Sequence, residues 1–476
     1  MIYALKLNDE NKWKQYNRII DGGTMKRANQ ATLIFSLIFI FSCQPLFGLS
    51  RDRARDLSES INKGFTEAEN GAGGFNVNGM LQDYLAFAAL HNPGLKAAFY
   101  DWQSSLEREG VVEALPDPML SYGYFIKNVE TRVGPQEQRF GVRQTIPWFG
   151  TLGAKGDMAF EASNIAFQKY QKTKLELFYK VKSAYYDYWF LGREIELTKE
   201  NLQLLQFWES VARTKYKVDQ QTHHEVIRAQ VELGKLDDDL KTLESMVQPT
   251  SARLRSALNL PDSVLLPIPT SITEDETAAD RDIIVKKVLS YNPDLKSIEH
   301  LIEKEKADVR LANKSWFPNF TFGIDYIQTG AALNPTMEES GKDPLIVNFS
   351  VNIPIWWGKN KAKQDEARAR YKSAQYSLND TRNKLIESAE QLIFEYDDAL
   401  RKIRLYRDGL VPKAEESLNA TFAAYQAGNT DFLNVLDTQR QLLDFQLMLD
   451  RSKRNQAVKK AALEVMTGEN LDAYNR

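Results

Sequence analysis

One cysteine, Cys43, and four histidines, His91, His223, His224 and His300, are the whole stock of thiol and imidazole in this chain. A lone thiol makes neither an intramolecular disulfide nor a cysteine metal cluster. No histidines stand in a His-Glu-x-x-His pattern, and neither a Gly-x-Ser-x-Gly elbow nor a Gly-Lys-Ser/Thr phosphate loop occurs. No nucleophile is spaced beside a base, so the residues argue against an enzyme and call for no cofactor. The formal net charge of −3 and a pI near 6.0 argue against nucleic acid as a partner, because its binders carry a basic footprint. A mean hydropathy of −0.45 argues against a helical membrane protein.

The informative spacing is turn chemistry. Tyr425-Gln-Ala-Gly428-Asn-Thr430-Asp-Phe432-Leu433-Asn434-Val435-Leu436-Asp437-Thr-Gln439 reads as the tip between two long antiparallel helices. Gly428 can take a left-handed conformation and stop the first helix. Thr430 or Asp431 can cap the second, after which Phe432, Val435, Leu436 and Gln439 fall at helical spacing. A weaker copy runs from Tyr216 through Asp219, Thr222 and Glu225 to Gln230. Tyr216 matches Tyr425, Ile227 matches Leu436 and Gln230 matches Gln439, each at an offset of 209. Two such tips make the chain a duplicated unit.

Further pairs bear this out. His91-Asn92-Pro93-Gly94-Leu95-Lys96 and Tyr291-Asn292-Pro293-Asp294-Leu295-Lys296 stand at an offset of 200, as do Pro118 with Pro318 and Gly123 with Gly323. Asn-Pro stops one helix and starts the next, since proline suits the first helical turn. After each later proline the period changes to alternation. Leu120, Tyr122, Tyr124 and Ile126 alternate with Met119, Ser121, Gly123 and Phe125. A polar turn, Glu130 to Gln138, precedes Phe140, Val142 and Ile146. In the second copy Phe320, Phe322, Ile324 and Tyr326, then Val347, Phe349, Val351 and Ile353, make one wholly apolar face against a wholly polar one. The strands span about 118–128, 138–147, 318–328 and 344–354, the length that crosses an outer membrane at a tilt. Trp148, Phe149, Trp316, Phe317, Trp356 and Trp357 at their ends fit an interfacial belt. Four strands cannot close around a lumen, and open edges are not tolerated in lipid. Several chains must therefore share one barrel.

Long helices join the strands. No proline interrupts Gly150 to Lys217, a helix of about 100 Å at 1.5 Å per residue. A second helix runs through Val226, Val231, Leu233, Leu236, Leu240 and Leu243 to near Asn259. Ala367, Tyr371, Ala374, Leu378, Thr381, Leu385, Ser388 and Leu392 form a heptad seam. Pro412 marks a kink, and a last helix runs from Phe432 to about Met466, ended by Gly468.

Domain boundaries emerge from these elements. Residues 1–48 are a leader in which Met25-Lys26-Arg27 and the apolar run Ala31 to Phe41 form a secretory signal, with translation expected from Met25. Ile40-Phe41-Ser42-Cys43 allows two readings: acylation of Cys43, or a leader discarded whole after Gly48. Residues 49–80 are an N-terminal extension, 81–260 the first repeat, 261–282 a linker, 283–468 the second repeat and 469–476 a tail. The linker's Glu274, Asp275 and Glu276 read as a solvated surface.

The twofold repeat, the Asn-Pro-x-Leu pairs, Trp316-x-Pro318, Ile353-Pro354 with Trp357-Gly358, and Tyr425-x-x-Gly428 together resemble the TolC-type outer-membrane efflux family. Leu410-x-Pro412 is similar to the branch paired with metal-cation exporters. The resemblance implies an α+β membrane protein. Long coiled helices and two β-strand pairs per chain would form a trimeric 12-stranded β-barrel with a periplasmic α-helical tunnel. It implies a homotrimer, a periplasmic adaptor (membrane fusion) protein, an inner-membrane pump and outer-membrane lipid as partners. The implied function is a passive duct for small molecules or metal cations. A type I protein-secretion duct and a non-pore periplasmic coiled-coil spacer are the alternatives. By the same resemblance Asp437, Asn434 and Glu225 belong to the pore constriction, Asn434 standing where another acid is common. Tyr216, Asp219, Tyr425, Gly428 and Thr430 belong to the periplasmic tips that meet the adaptor, with Asp219 in place of the usual glycine. Several Asp437 carboxylates around an axis would attract cations.

Overall fold

A computed structural model describes residues 50–70, 80–217, 223–334 and 336–469. The signal, Met25, Cys43 and Asp219 lie outside the described residues. Helices α1 (Arg51–Asn70), α2 (Leu81–His91) and α3 (Pro93–Glu113) lead into strands β1 (Met119–Thr131) and β2 (Gly134–Ile146). Helices α4 (Thr151–Lys217), α5 (His223–Ser245) and α6 (Val247–Leu258) complete the first repeat. The second repeats the order as α7 (Arg281–Tyr291), α8 (Pro293–Asn313), β3 (Phe320–Thr329), β4 (Leu345–Val351), α9 (Trp357–Leu405), α10 (Val411–Gln426) and α11 (Phe432–Thr467).

The Asn-Pro motifs have a second task besides restarting a helix. The Asn92 side chain accepts from the Leu95 amide at 3.1 Å, and its own amide donates to the Ala257 carbonyl at 3.0 Å. Asn292 accepts from the amides of Asp294 and Leu295, and donates to the Met466 carbonyl at 3.0 Å. Ala257 and Met466 stand near the ends of α6 and α11, which close on left-handed Asn259 (φ 56°) and Gly468 (φ 70°). Each motif thus fastens the returning helix of its own repeat to the start of that repeat.

Several expectations change. Residues 49–80 contain α1, which buries Ala54, Ile61 and Phe65 and sets Phe65 edge-on to Phe99. The returning helix of the first repeat is broken at Met246, because Pro249 has no N–H to donate to the Ser245 carbonyl. Ser388 is exposed and Ala389 buried, so the α9 seam shifts by one residue there. Pro412 does mark a distortion, a π turn over Tyr406–Leu410. Of the acidic linker residues Glu274 and Glu276 are exposed, as read, while Asp275 is half-buried, and all three carry cationic partners. Asp275 pairs with Lys460 at 2.7 Å, Glu274 with Lys453 at 2.7 Å and Glu276 with Arg407 at 2.7 Å. The Gln456 amide also donates to the Asp275 carbonyl. These contacts strap the linker to α11 and the π turn.

The strands form one antiparallel sheet in the order β1-β2-β3-β4. The first hairpin turns at Arg132-Val133, tighter than the polar stretch from Glu130 suggested, and absorbs the surplus as a bulge between Tyr124 and Val129. The middle pair, β2 with β3, joins the two repeats, with Val142 opposite Ile324 and Gly141 opposite Asp325.

Candidate functional site

Two places in the molecule can serve a conduit, the strand ribbon and the helical tips. Across the ribbon the registers build apolar rows such as Leu120–Val142–Ile324–Val347 and Tyr122–Phe140–Tyr326–Leu345. These side chains are bare in the chain, Leu120 at 78% and Val347 at 77% exposure. The other face carries Ser121, Arg139, Arg143, Asp325 and Asn348, though Ile327 and Ile346 also sit on it, so it is not wholly polar. Within the chain β1 and β4 each have one paired edge only. At the strand ends Trp148 stacks on Phe317 at 4.7 Å, while Phe149, Trp356 and Trp357 stand largely exposed. Among the described residues no helix is long and apolar enough to cross a membrane.

The second tip is closed by its own sequence. Gly428 has φ 81°. The Asn429 amide donates back to the Ala424 carbonyl at 2.9 Å, and Gly428 to the Tyr425 carbonyl at 3.1 Å, the bonds of a left-handed helix end. Asp431 is the cap, accepting from the Asn434 amide at 3.1 Å, and the Asn434 side chain donates to the Thr430 hydroxyl at 2.7 Å. Tyr425 and Phe432 are fully buried with centroids 5.4 Å apart, in a core with Trp208, Leu418, Val435 and Leu436. Burying rings of this size contributes roughly 1.5–3 kcal/mol each. Gln439 is also buried, its amide 2.6 Å from the Asn201 side-chain oxygen.

The first tip is packed differently. Val226 and Ala229 point inward, but Ile227 is 44% and Tyr216 42% exposed. Gln230, the counterpart of Gln439, donates to Glu209 at 3.1 Å rather than to a buried amide. Lys215 reaches across to the second tip, with its ammonium 4.3 Å from the Tyr425 ring centroid and donating to the Tyr425 carbonyl at 2.7 Å.

Asn434, Asp437 and Thr430 line one groove with Thr421, Thr438 and Gln441, between α10 and α11. Glu225 does not join them. It sits at the start of α5, where burial pushes its carboxyl above the usual range and the Asp431 carboxylate adds to the effect, opposed by Lys215 and His224. Asp437 accepts from Arg440 at 3.1 Å, and the same guanidinium forks onto Glu232, its Nε at 3.0 Å. That fork holds the Glu232 carboxyl below its usual range. Glu232 lies on α5 and Arg440 on α11, so the pair ties one hairpin to the other. Sequence reading missed it, because 208 residues separate the partners. Only the local Asp437–Arg440 spacing was legible.

Known proteins share this geometry. The family model described as outer membrane efflux protein matches residues 284–469. The match takes in nearly all of the second repeat. It is 20% identical to nodulation protein T of Rhizobium leguminosarum bv. trifolii over 83% of this chain and 90% of that one. It is 23% identical to the pyoverdine export outer membrane protein OpmQ of Pseudomonas putida, over 67% of each. The crystal structure of the open state of the MtrE outer membrane channel of Neisseria gonorrhoeae superposes with a TM-score of 0.68, at 16% identity, over 82% of this chain and 89% of that one. The fold is therefore the TolC-type one, with duplicated helical hairpins and two strand pairs.

Proposed function

We propose that this protein is the passive outer-membrane duct of a tripartite export system. Three copies would each supply four strands to one 12-stranded barrel and their helices to a periplasmic tunnel. The tips would meet a periplasmic adaptor, and an inner-membrane pump would drive small molecules or metal cations through. The observation that carries this reading is the ribbon, with one face of bare apolar rows and an unpaired edge at each end. A bare edge and a bare apolar face are both unstable in water and both satisfied in a closed barrel in lipid. In this reading Asp437, Asn434 and Glu225 act near the narrow periplasmic mouth, and Tyr216, Asp219, Tyr425, Gly428 and Thr430 shape the surface offered to the adaptor. A periplasmic spacer has no use for such a ribbon. Detergent-extracted protein is expected to run as a heat-modifiable trimer and to open steady conductance in planar bilayers. Monomeric protein that stays soluble without detergent would overturn the duct.

A further inference from the structure

The polar face of the ribbon has an unbalanced charge cluster. In the regular ladder its charged residues are Arg139, Arg143 and Asp325. Asp325 is fully buried. Its Oδ2 accepts from Arg139 and from the Asn348 side chain, with Arg143 at 3.7 Å. One carboxylate thus answers two guanidiniums, and both arginine side chains keep about two fifths of their surface open, 41% and 42%. Lys127 and Glu137 stand in the bulged ends of β1 and β2 and offset each other in charge.

The cluster is built into the sheet. Asp325 stands opposite Gly141 and Arg143 opposite Gly323. A Cβ on Gly141 would meet Asp325 Oδ1 at 2.2 Å, and one on Gly323 would meet Arg143 Cγ at 2.8 Å. Two glycines therefore give the carboxylate and one guanidinium stem room to lie flat on the strands. The acid is sunk beneath the arginines, so it offsets one of their two charges while the open surface of the cluster is guanidinium.

We infer that Arg139 and Arg143 form a basic collar inside the barrel that favours anionic cargo at the exit. This rests on the duct reading, which turns the polar face toward the lumen. Three chains would bring six guanidiniums against three carboxylates. A ring of one sign in a low-dielectric wall raises the local concentration of the opposite ion. The collar narrows the cargo class from small molecules or metal cations toward small molecules carrying carboxylate, phosphate or similar anionic groups.

The test is reversal-potential measurement on the full chain in planar bilayers under a potassium chloride gradient. At about 10 mM salt, where the screening length is roughly 30 Å, Arg139→Gln with Arg143→Gln should shift the chloride-to-potassium permeability ratio toward potassium by about twofold or more. Arg139→Lys with Arg143→Lys should leave the ratio near that of the unaltered protein. In the unaltered protein the ratio should move toward that of free solution near 1 M salt, where screening falls to roughly 3 Å. A glutamine variant that conducts with an unchanged ratio overturns the collar and leaves the duct standing. So does a ratio in the unaltered protein that ignores salt, should the glutamine variant fail to assemble. Absence of conductance in the unaltered protein overturns the duct itself.

Discussion

Arg440→Ala is the most informative single change at the tips. Arg440 holds Glu232 on the first hairpin through a two-pronged contact and Asp437 on its own helix at 3.1 Å. Arg440 is 46% and Glu232 21% exposed at the side chain, so water discounts the ion pair. A forked, partly exposed pair contributes about 1 kcal/mol. Such a loss shifts a two-state equilibrium roughly fivefold, and by roughly a hundredfold if three chains move together. The variant should therefore open more often in single-channel records, and amides at the start of α11 should exchange faster. Its trimer should still be heat-modifiable, since the strands are untouched. A double-mutant cycle with Glu232→Gln isolates the pair: the two changes together should do little more than either alone. Additive effects, or an open probability equal to that of the unaltered protein, would refute the idea that this contact holds the hairpins together.

Two further changes probe other parts. Glu225 has a folded pKa raised by burial and by Asp431, so the native state holds more protons than the unfolded chain between the ordinary carboxyl value and the raised one. Its contribution therefore favours folding as pH falls through the folded pKa and is unfavourable above it. Protection of the tip amides, taken relative to their intrinsic exchange rates at each pH, should rise on mild acidification, and Glu225→Gln should be well protected at neutral pH and lose that part of the pH dependence. At the other end of the molecule, Gly134 has φ 135° and a Cβ there would stand 1.8 Å from the Gly330 carbonyl oxygen. The β3–β4 loop crosses the first hairpin at this point, with the Gly330 amide on the Pro135 carbonyl at 2.7 Å. Gly134→Ala should displace that loop and lower the yield of heat-modifiable trimer; an unchanged yield removes the crossing from barrel assembly.

What could be read from the chain beforehand was local. Gly428 and the Asp431 cap obey short-range rules, and so do the two Asn-Pro restarts and the alternation of the strands. The contacts that escaped join residues far apart in sequence. Glu274 and Glu276 are exposed as read, but their partners Arg407 and Lys453, and Lys460 on Asp275, come to them only through the fold. The exposure of Ile227 against the burial of Leu436 was hidden for the same reason: equal positions in a repeat do not imply equal partners. Arg139, Asp325 and their glycine bed required the β2–β3 register, which pairs residues from different repeats.

That inequality of the repeats has a physical trace in the helices. Trp148 and Gly150 match Trp356 and Gly358 at an offset of 208, whereas Tyr216 matches Tyr425 at 209. The second copy therefore carries one residue more between strand end and tip. In an α-helix one added residue turns everything beyond it by about 100°. The first copy crosses this distance as a single helix of 67 residues, while the second contains a five-residue π turn at Tyr406–Leu410. A π turn is the way a helix takes up one extra residue without rotating the turns beyond it. Pro412 sits just after it and lacks the N–H that an α-helix would have given to the Asp408 carbonyl, so the wide turn loses little there. Arg407, inside the turn, is the residue that grips Glu276 of the linker. The extra residue thus leaves the Tyr425 tip in phase with its own helix and creates the place where the strap between the repeats is fastened.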